Sequence, residues 1–110
     1  GPRTVLVTSV QTDQTPADSV QMAVVTGDGA WIVTTPLLPI YLTGGGDATA
    51  AIFLAHALTE TPEVALGRTA DAMFAIAQAT HDSGARELQI VAAQDQIVAP
   101  ERTFEVTRLR

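Results

Sequence analysis

A chain of 110 residues, 46% hydrophobic and with a mean hydropathy of +0.22, bounds one small domain with a buried core and excludes a disordered polypeptide. The net charge of −6, the pI near 4.5 and six scattered basic residues exclude non-specific binding to nucleic acid or to an anionic membrane surface. Cysteine is absent, which removes disulfide frameworks and zinc fingers, and no apolar run approaches the roughly 20 residues that span a bilayer. The lack of cysteine fits a cytosolic protein, the N-terminus is not a signal peptide, and Gly1-Pro2 is either a protease-cleavage scar or a native loop end. With one Trp, one Tyr and three Phe, the core has to be built from Ala, Val, Ile and Leu, a composition suited to α/β layers.

In chain order, Thr4-Val5-Leu6-Val7-Thr8 is a short β-branched run, as in a strand covered on both faces of a parallel sheet. Residues Ser9 to Asp18 are polar, contain Pro16 and read as a loop. Val20–Thr26 and Ala30–Thr34 read as two strands joined by the turn signal Gly27-Asp28-Gly29, a β-hairpin. Two prolines make Thr35-Pro36-Leu37-Leu38-Pro39-Ile40 an extended connector.

Thr43-Gly44-Gly45-Gly46-Asp47 comes next, and an Ala-rich helix is expected straight after it, with Ala50, Phe53, Leu54, Ala57 and Leu58 on one apolar face. Glycines allow close approach of backbone to a ligand, and the first amides of a helix lack intrahelical partners and carry the positive end of its dipole. This is an anion cradle with one carboxylate, Asp47, at its rim, the layout a phosphoryl-transfer site needs. An aspartate at a helix start stays ionised, which is the state a general base requires. The alternative is that Asp47 is only an N-cap, and on the Gly-Gly-Gly-Asp tetrapeptide alone that reading is favoured by roughly four to one, because caps are common.

Thr61-Pro62-Glu63 starts a second helix: Thr as N-cap, Pro at the first position, an acid in the first turn. Its core face is Leu66, Ala70, Met73, Phe74 and Ala77, with Asp71 and Asp82 on a solvated face. It is expected to run to about Asp82 and to stop at Gly84. Leu88–Val91 reads as a brief strand and Ala92–Val98 as a short helix before Pro100. Thr103–Thr107 alternates like an edge strand. His56 and His81 have no partners at ligand spacing and are expected at the surface or its boundary. No Ser-His-Asp arrangement, Walker P-loop or dinucleotide fingerprint is present, and strands preceding two helices make the chain look like the second half of a larger unit.

Three segments in this order resemble the C-terminal part of pyridoxal kinase, the vitamin B6 kinase of the ribokinase-like superfamily. They are Val5-Leu6-Val7-Thr8-Ser9, the cradle Gly44-Gly45-Gly46-Asp47 where the family has Gly-x-Gly-Asp, and Glu87-Leu88-Gln89-Ile90-Val91-Ala92-Ala93-Gln94-Asp95-Gln96-Ile97 followed by Pro100 and Phe104. The Gly-x-Gly-Asp is shared across the superfamily; the run from Glu-Leu-Gln into Gln-Asp is far more specific, and it reverses the odds on Asp47. The resemblance implies an α/β fold with a central, mostly parallel sheet flanked by helices, in a cytoplasmic, usually dimeric enzyme. Residues 1–110 match its ATP-binding and base-bearing portion. The implied activity is ATP-dependent phosphorylation of the 5′-hydroxymethyl group of pyridoxal, pyridoxine or pyridoxamine, with Mg²⁺ and often K⁺.

On that resemblance Asp47 matches the catalytic base for the substrate hydroxyl, and Gly44, Gly45 and Gly46 the anion hole. Thr8 and Ser9 match polar positions facing the ATP phosphates; Thr35, Pro36, Leu37 and Leu38 match an extended segment lining the nucleotide site. Gly45 replaces a more usual Thr, Val or Ala, and the connector after Leu38 is a few residues shorter than in some bacterial relatives. The family's N-terminal portion, which supplies vitamer-binding Ser/Thr residues, a lid and acidic residues near Mg²⁺, has no counterpart in these residues, so little or no turnover is expected of this chain alone. Two alternatives remain: a non-catalytic folded module that self-associates through an exposed sheet edge, and another superfamily kinase, for a sugar or a hydroxymethylpyrimidine. Pyrimidine kinases usually carry Cys where Asp47 stands, and sugar kinases lack the Glu-Leu-Gln to Gln-Asp run.

Overall fold

The computed structural model describes residues 4–10, 18–38, 45–84, 99 and 102–110, with side chains at 9, 10 and 45–47 outside that description. The elements are β1 (Thr4–Val10), β2 (Ser19–Thr26), β3 (Ala30–Pro36), α1 (Gly45–Ala57), α2 (Pro62–Ser83) and β4 (Val106–Arg108). The strands form one sheet in the order β1-β2-β3-β4, and every pairing is antiparallel. The α/β class is as expected, but β1 does not lie in a parallel pairing among the described strands. Parallel neighbours need a crossover of a dozen or more residues, whereas β2 and β3 are joined by a hairpin and β1 reaches β2 through residues 11–18. Nor is β1 covered on both faces: Val5 and Val7 remain 45% and 42% exposed.

The hairpin turn falls at Gly27-Asp28-Gly29, where Thr26 donates its amide to the Gly29 carbonyl at 2.8 Å and the Thr26 hydroxyl accepts from the Asp28 amide at 3.1 Å. Gly29 is required sterically, since a Cβ there would stand 2.6 Å from the Arg110 carbonyl oxygen. The last residues close over this turn: Leu109 donates to the Ala30 carbonyl at 2.6 Å, and the Arg108 guanidinium donates to the Asp28 carbonyl and lies 5.3 Å from the Trp31 ring centroid. The edge strand sits at Val106–Arg108 instead of Thr103–Thr107, because Thr103–Glu105 pass beside α2 before pairing with β3 begins.

One face of the sheet carries Leu6, Met22, Val24, Trp31, Val33 and Val106, which are cross-strand neighbours in register. They pack against Ala65, Leu66 and Ala70 of α2 and Phe53 of α1. α2 follows its sequence signals closely. The Thr61 hydroxyl accepts from the Val64 amide at 3.3 Å, Pro62 opens the helix, and Gly84 closes it in the left-handed region at φ 68. Leu66, Ala70, Met73 and Phe74 are buried as expected, with Ala77 half-buried.

α1 departs from expectation in two ways. It begins at Gly45, so two of the three glycines lie inside the helix. Its buried stripe is rotated: Thr49 and Phe53 are buried and Ala48, Ile52 and Ala57 pack beside them, while Leu54 and Leu58 are 62% and 78% exposed and Ala50 faces out. Ala-rich sequence supports more than one apolar face, and contact with α2 selects one centred on Phe53. The expected strand at Leu88–Val91 and helix at Ala92–Val98 lie outside the described residues, as do Gln94 and Asp95.

Candidate functional site

The residues singled out in the sequence fall on two pieces of the fold. Thr8 and Ser9 lie in the last part of β1, and Thr35 and Pro36 end β3, with Leu37 and Leu38 directly after. Antiparallel register brings these strand ends to one end of the sheet through the start of β2: Val10 pairs with Gln21, Gln21 with Thr34 and Ser19 with Pro36. Gln21 Nε2 donates to Thr34 Oγ1 at 2.9 Å, and the Leu37 amide donates to the Asp18 carbonyl at 2.8 Å. Asp18 holds φ 61, a left-handed conformation that aspartate tolerates better than most residues. The segments expected to face the nucleotide are thus tied together by β2. Thr8 is exposed, Thr35 and Pro36 are half-buried, and Leu37 is 50% exposed, so this sheet end presents side chains to solvent as well as to the core.

The second piece is the first turn of α1. Gly45, Gly46 and Asp47 are helical, whereas Gly44 lies outside the described residues. Asp47 is therefore within the first turn and is not the N-cap that the plainer reading assumed. First-turn amides have no acceptor in their own helix and attract anions, and glycine at 45 and 46 puts no Cβ between them and a ligand. Residues 39–44 connect this turn to the end of β3.

One titratable residue was placed on the wrong side of α2 by sequence reasoning. Asp71 is 8% exposed, not solvated, and one carboxylate oxygen (Oδ1) accepts the Phe104 amide at 2.8 Å. Burial raises its pKa above the ordinary 3.8, opposed by the Phe104 hydrogen bond and by the Arg68 charge. Around it the Phe74 and Phe104 rings meet edge to face at 5.1 Å, and the Arg102 guanidinium lies 4.7 and 5.3 Å from their centroids. This clasp fastens residues 102–104 to α2. Beside it, a groove of about 430 Å³ runs between Glu63, Gly67 and Asp71 of α2 and Thr103 and Val106, and holds none of the residues expected at the site. The signal for Asp71 lay in its place between Ala70 and Ala72, inside an apolar run. His81 is exposed and pairs with Asp82 at 3.6 Å, and His56 is half-buried, both as expected.

No family model matches the chain. It is 48% identical over 111 residues to pyridoxal kinase PdxY of Rubrobacter xylanophilus, an alignment covering 99% of this chain and 38% of that protein. Its fold superposes on the pyridoxal kinase from Leishmania donovani in complex with ADP and pyridoxine with a TM-score of 0.85 at 23% identity, over 100% of this chain and 40% of that one. A putative phosphomethylpyrimidine kinase from Bacteroides thetaiotaomicron gives the same TM-score of 0.85 at 19% identity, over 99% of this chain and 38% of that one. At such identities the two structures speak for the fold alone. The chain spans about two fifths of the length of the relatives it matches. Along nearly its whole length the chain is thus similar to about two fifths of a pyridoxal kinase, and its α/β fold is one that pyridoxal kinases of known structure share.

Proposed function

We propose that this chain is the part of a pyridoxal kinase that carries the anion cradle and the catalytic base. The whole protein, on this reading, transfers the γ-phosphoryl group of ATP to the 5′-hydroxymethyl oxygen of a B6 vitamer. The observation that carries it is the 48% identity to a pyridoxal kinase along 99% of the chain, an alignment that spans Gly44-Gly45-Gly46-Asp47. The Leishmania donovani relative is a complex with ADP and pyridoxine, which supports nucleotide and vitamer as the two ligands.

The chemistry follows from the elements. Phosphoryl transfer demands alignment of two oxygens and stabilisation of charge spread over the equatorial ones. Amides of Gly45 and Gly46 supply the second at the positive end of α1. Asp47 takes the hydroxyl proton as the vitamer oxygen bonds to the γ-phosphorus and the bond to the β-phosphate bridging oxygen breaks, releasing ADP. Thr8, Ser9 and the Thr35–Leu38 segment, held at one end of the sheet, bind the nucleotide. Mg²⁺ and K⁺ are the cations the resemblance implies, and when bound they would offset the charge of the phosphates. Among the described residues no group of His, Asp and Glu gathers as a metal site, and this chain is assigned no ligand to either ion.

Steady-state assays of the full-length protein with ATP, Mg²⁺ and pyridoxal test the reading. Asp47→Asn is expected to lower kcat by about 10²- to 10⁴-fold, with ATP binding retained. Near-normal turnover by that variant would remove Asp47 from the mechanism.

A second reading is favoured by β1, the outermost described strand, whose Val5 and Val7 stay largely exposed. The 110-residue chain then folds without turnover and pairs with a second copy along that strand. Light scattering on the isolated chain tests it; a strict monomer rejects it.

A further inference from the structure

The proposed site poses a mechanical problem, because its working groups have almost nothing to hold them. Gly45 and Gly46 carry no side chain with which to pack, and Asp47 has to face a substrate. The first described side chains of α1 that enter the protein are Ala48, packed with Ile52 against Met73 and Ile76 of α2, and Thr49, only 5% exposed. One turn later Phe53 enters the core against Leu66 and Ala70. Of the two residues nearest the cradle, Ala48 offers a single methyl. Thr49 offers a β-branched side chain, restricted at χ1, and a hydroxyl.

The other helix shows what this chain does with buried hydroxyls. Thr69 donates to the Ala65 carbonyl at 2.7 Å, and Thr80 to the Ile76 carbonyl at 2.7 Å, each four residues back in its own helix. Among the described residues no buried side-chain nitrogen or oxygen lacks a hydrogen-bond partner, and Thr49 is itself partnered. The residue four before Thr49 is Gly45, the first of α1 and a member of the proposed anion hole.

We propose that Thr49 is a positioning residue: its buried side chain fixes the rotation of the first turn of α1 and so sets where the Gly45 and Gly46 amides and Asp47 point. This rests on the assignment of Asp47 and the glycines made above. It predicts that the hydroxyl matters more to turnover than to folding. Valine has the same shape, fills the same buried space and leaves Phe53 and Ile52 undisturbed, but it frees the glycine-rich turn to shift. A misplacement of about 1 Å at a reacting group costs up to ~100-fold in rate.

The test compares Thr49→Val, Thr49→Ser and Asp47→Asn in the full-length protein, by steady-state kinetics with ATP and pyridoxal and by thermal melting. Thr49→Val is expected to lose about ten- to a hundredfold in kcat, with KM for both substrates within about threefold and the melting temperature within about 2 °C of the parent. Thr49→Ser, which restores the hydroxyl, is expected to regain most of the turnover. Valine within twofold of the parent overturns the proposal. So does serine failing as badly as valine, or a kcat loss matched by a collapse in melting temperature, because each assigns Thr49 to packing alone. Asp47→Asn separates the two levels: its inactivity beside a fully active Thr49→Val overturns the positioning role only, whereas undiminished turnover in Asp47→Asn, or a parent inactive on every B6 vitamer, overturns the base assignment and this proposal with it.

Discussion

The two helices of this chain solve opposite problems. α2 is capped at both ends, by the Thr61 hydroxyl and by left-handed Gly84, and buries Leu66, Ile76, Thr69 and Thr80 completely or nearly so. α1 opens on glycines, which cost about 1 kcal/mol each relative to alanine in a helix, and leaves Leu54 and Leu58 largely in solvent. α2 is therefore the scaffold, and α1 is held in place chiefly through it: Phe53 reaches the Leu66 cluster and Ala48 and Ile52 the Met73–Ile76 cluster. On the proposed function the start of α1 is kept for a ligand, and contact with α2 holds the helix that carries it.

The same leucine-to-alanine change in each helix tests that division most directly. Leu66→Ala should cost about 2–5 kcal/mol, because the side chain is fully buried among Val24, Val33 and Phe53. Chemical denaturation measures it, and a cost under about 1 kcal/mol would mean the sheet does not lean on α2. Next in size is Asp71→Ala, which leaves the Phe104 amide without its acceptor and is expected to cost about 1–3 kcal/mol.

Asp71 also predicts a pH dependence. Its pKa is raised by burial, so the folded chain binds this proton more readily than the unfolded one. The contribution is full below the ordinary value of 3.8 and is lost as pH rises through the raised folded value. Relative to Asp71→Asn, the parent should lose stability over that rise; parallel curves for the two proteins would show that the carboxyl does not titrate with a raised pKa. Thr61→Ala should cost about 1 kcal/mol, read as a shift in the denaturation midpoint. Smallest of all, Leu54→Ala should change stability by less than about 0.5 kcal/mol in this chain, since its side chain touches solvent on most of its surface. A cost near that of Leu66→Ala would mean that the exposed face of α1 is covered in solution.

Sequence alone located α2 to within a residue or two, because capping chemistry, apolar periodicity and burial agree there. The hairpin was legible for the same reason, Gly27-Asp28-Gly29 being a local signal between two β-branched runs. α1 was legible as a helix but not in its facing: an Ala-rich stretch admits several stripes, and only contact with α2 chooses Thr49 and Phe53 over Leu54 and Leu58. The antiparallel setting of β1 was missed because Thr4–Thr8 has no alternation to declare a solvent-facing side. Asp71 was misplaced because its partner, the Phe104 amide, is far away in the chain. At the candidate site, Gly45, Gly46 and Asp47 were singled out by motif alone, and the structure adds that α1 begins at Gly45, so Asp47 is not its N-cap. Thr49 carried no motif at all, and burial alone brought it into view.

The space beside Gly29 has a practical corollary. A side chain there would collide with the Arg110 carbonyl, so the hairpin tip and the last residue behave as one joint. Grafting a longer loop at 27–29 would pry Leu109 from Ala30 and lift Arg108 off Trp31, and altering the chain at Arg110 would tug on the same joint. Anyone labelling or resurfacing this domain should treat those two places as a single engineering site.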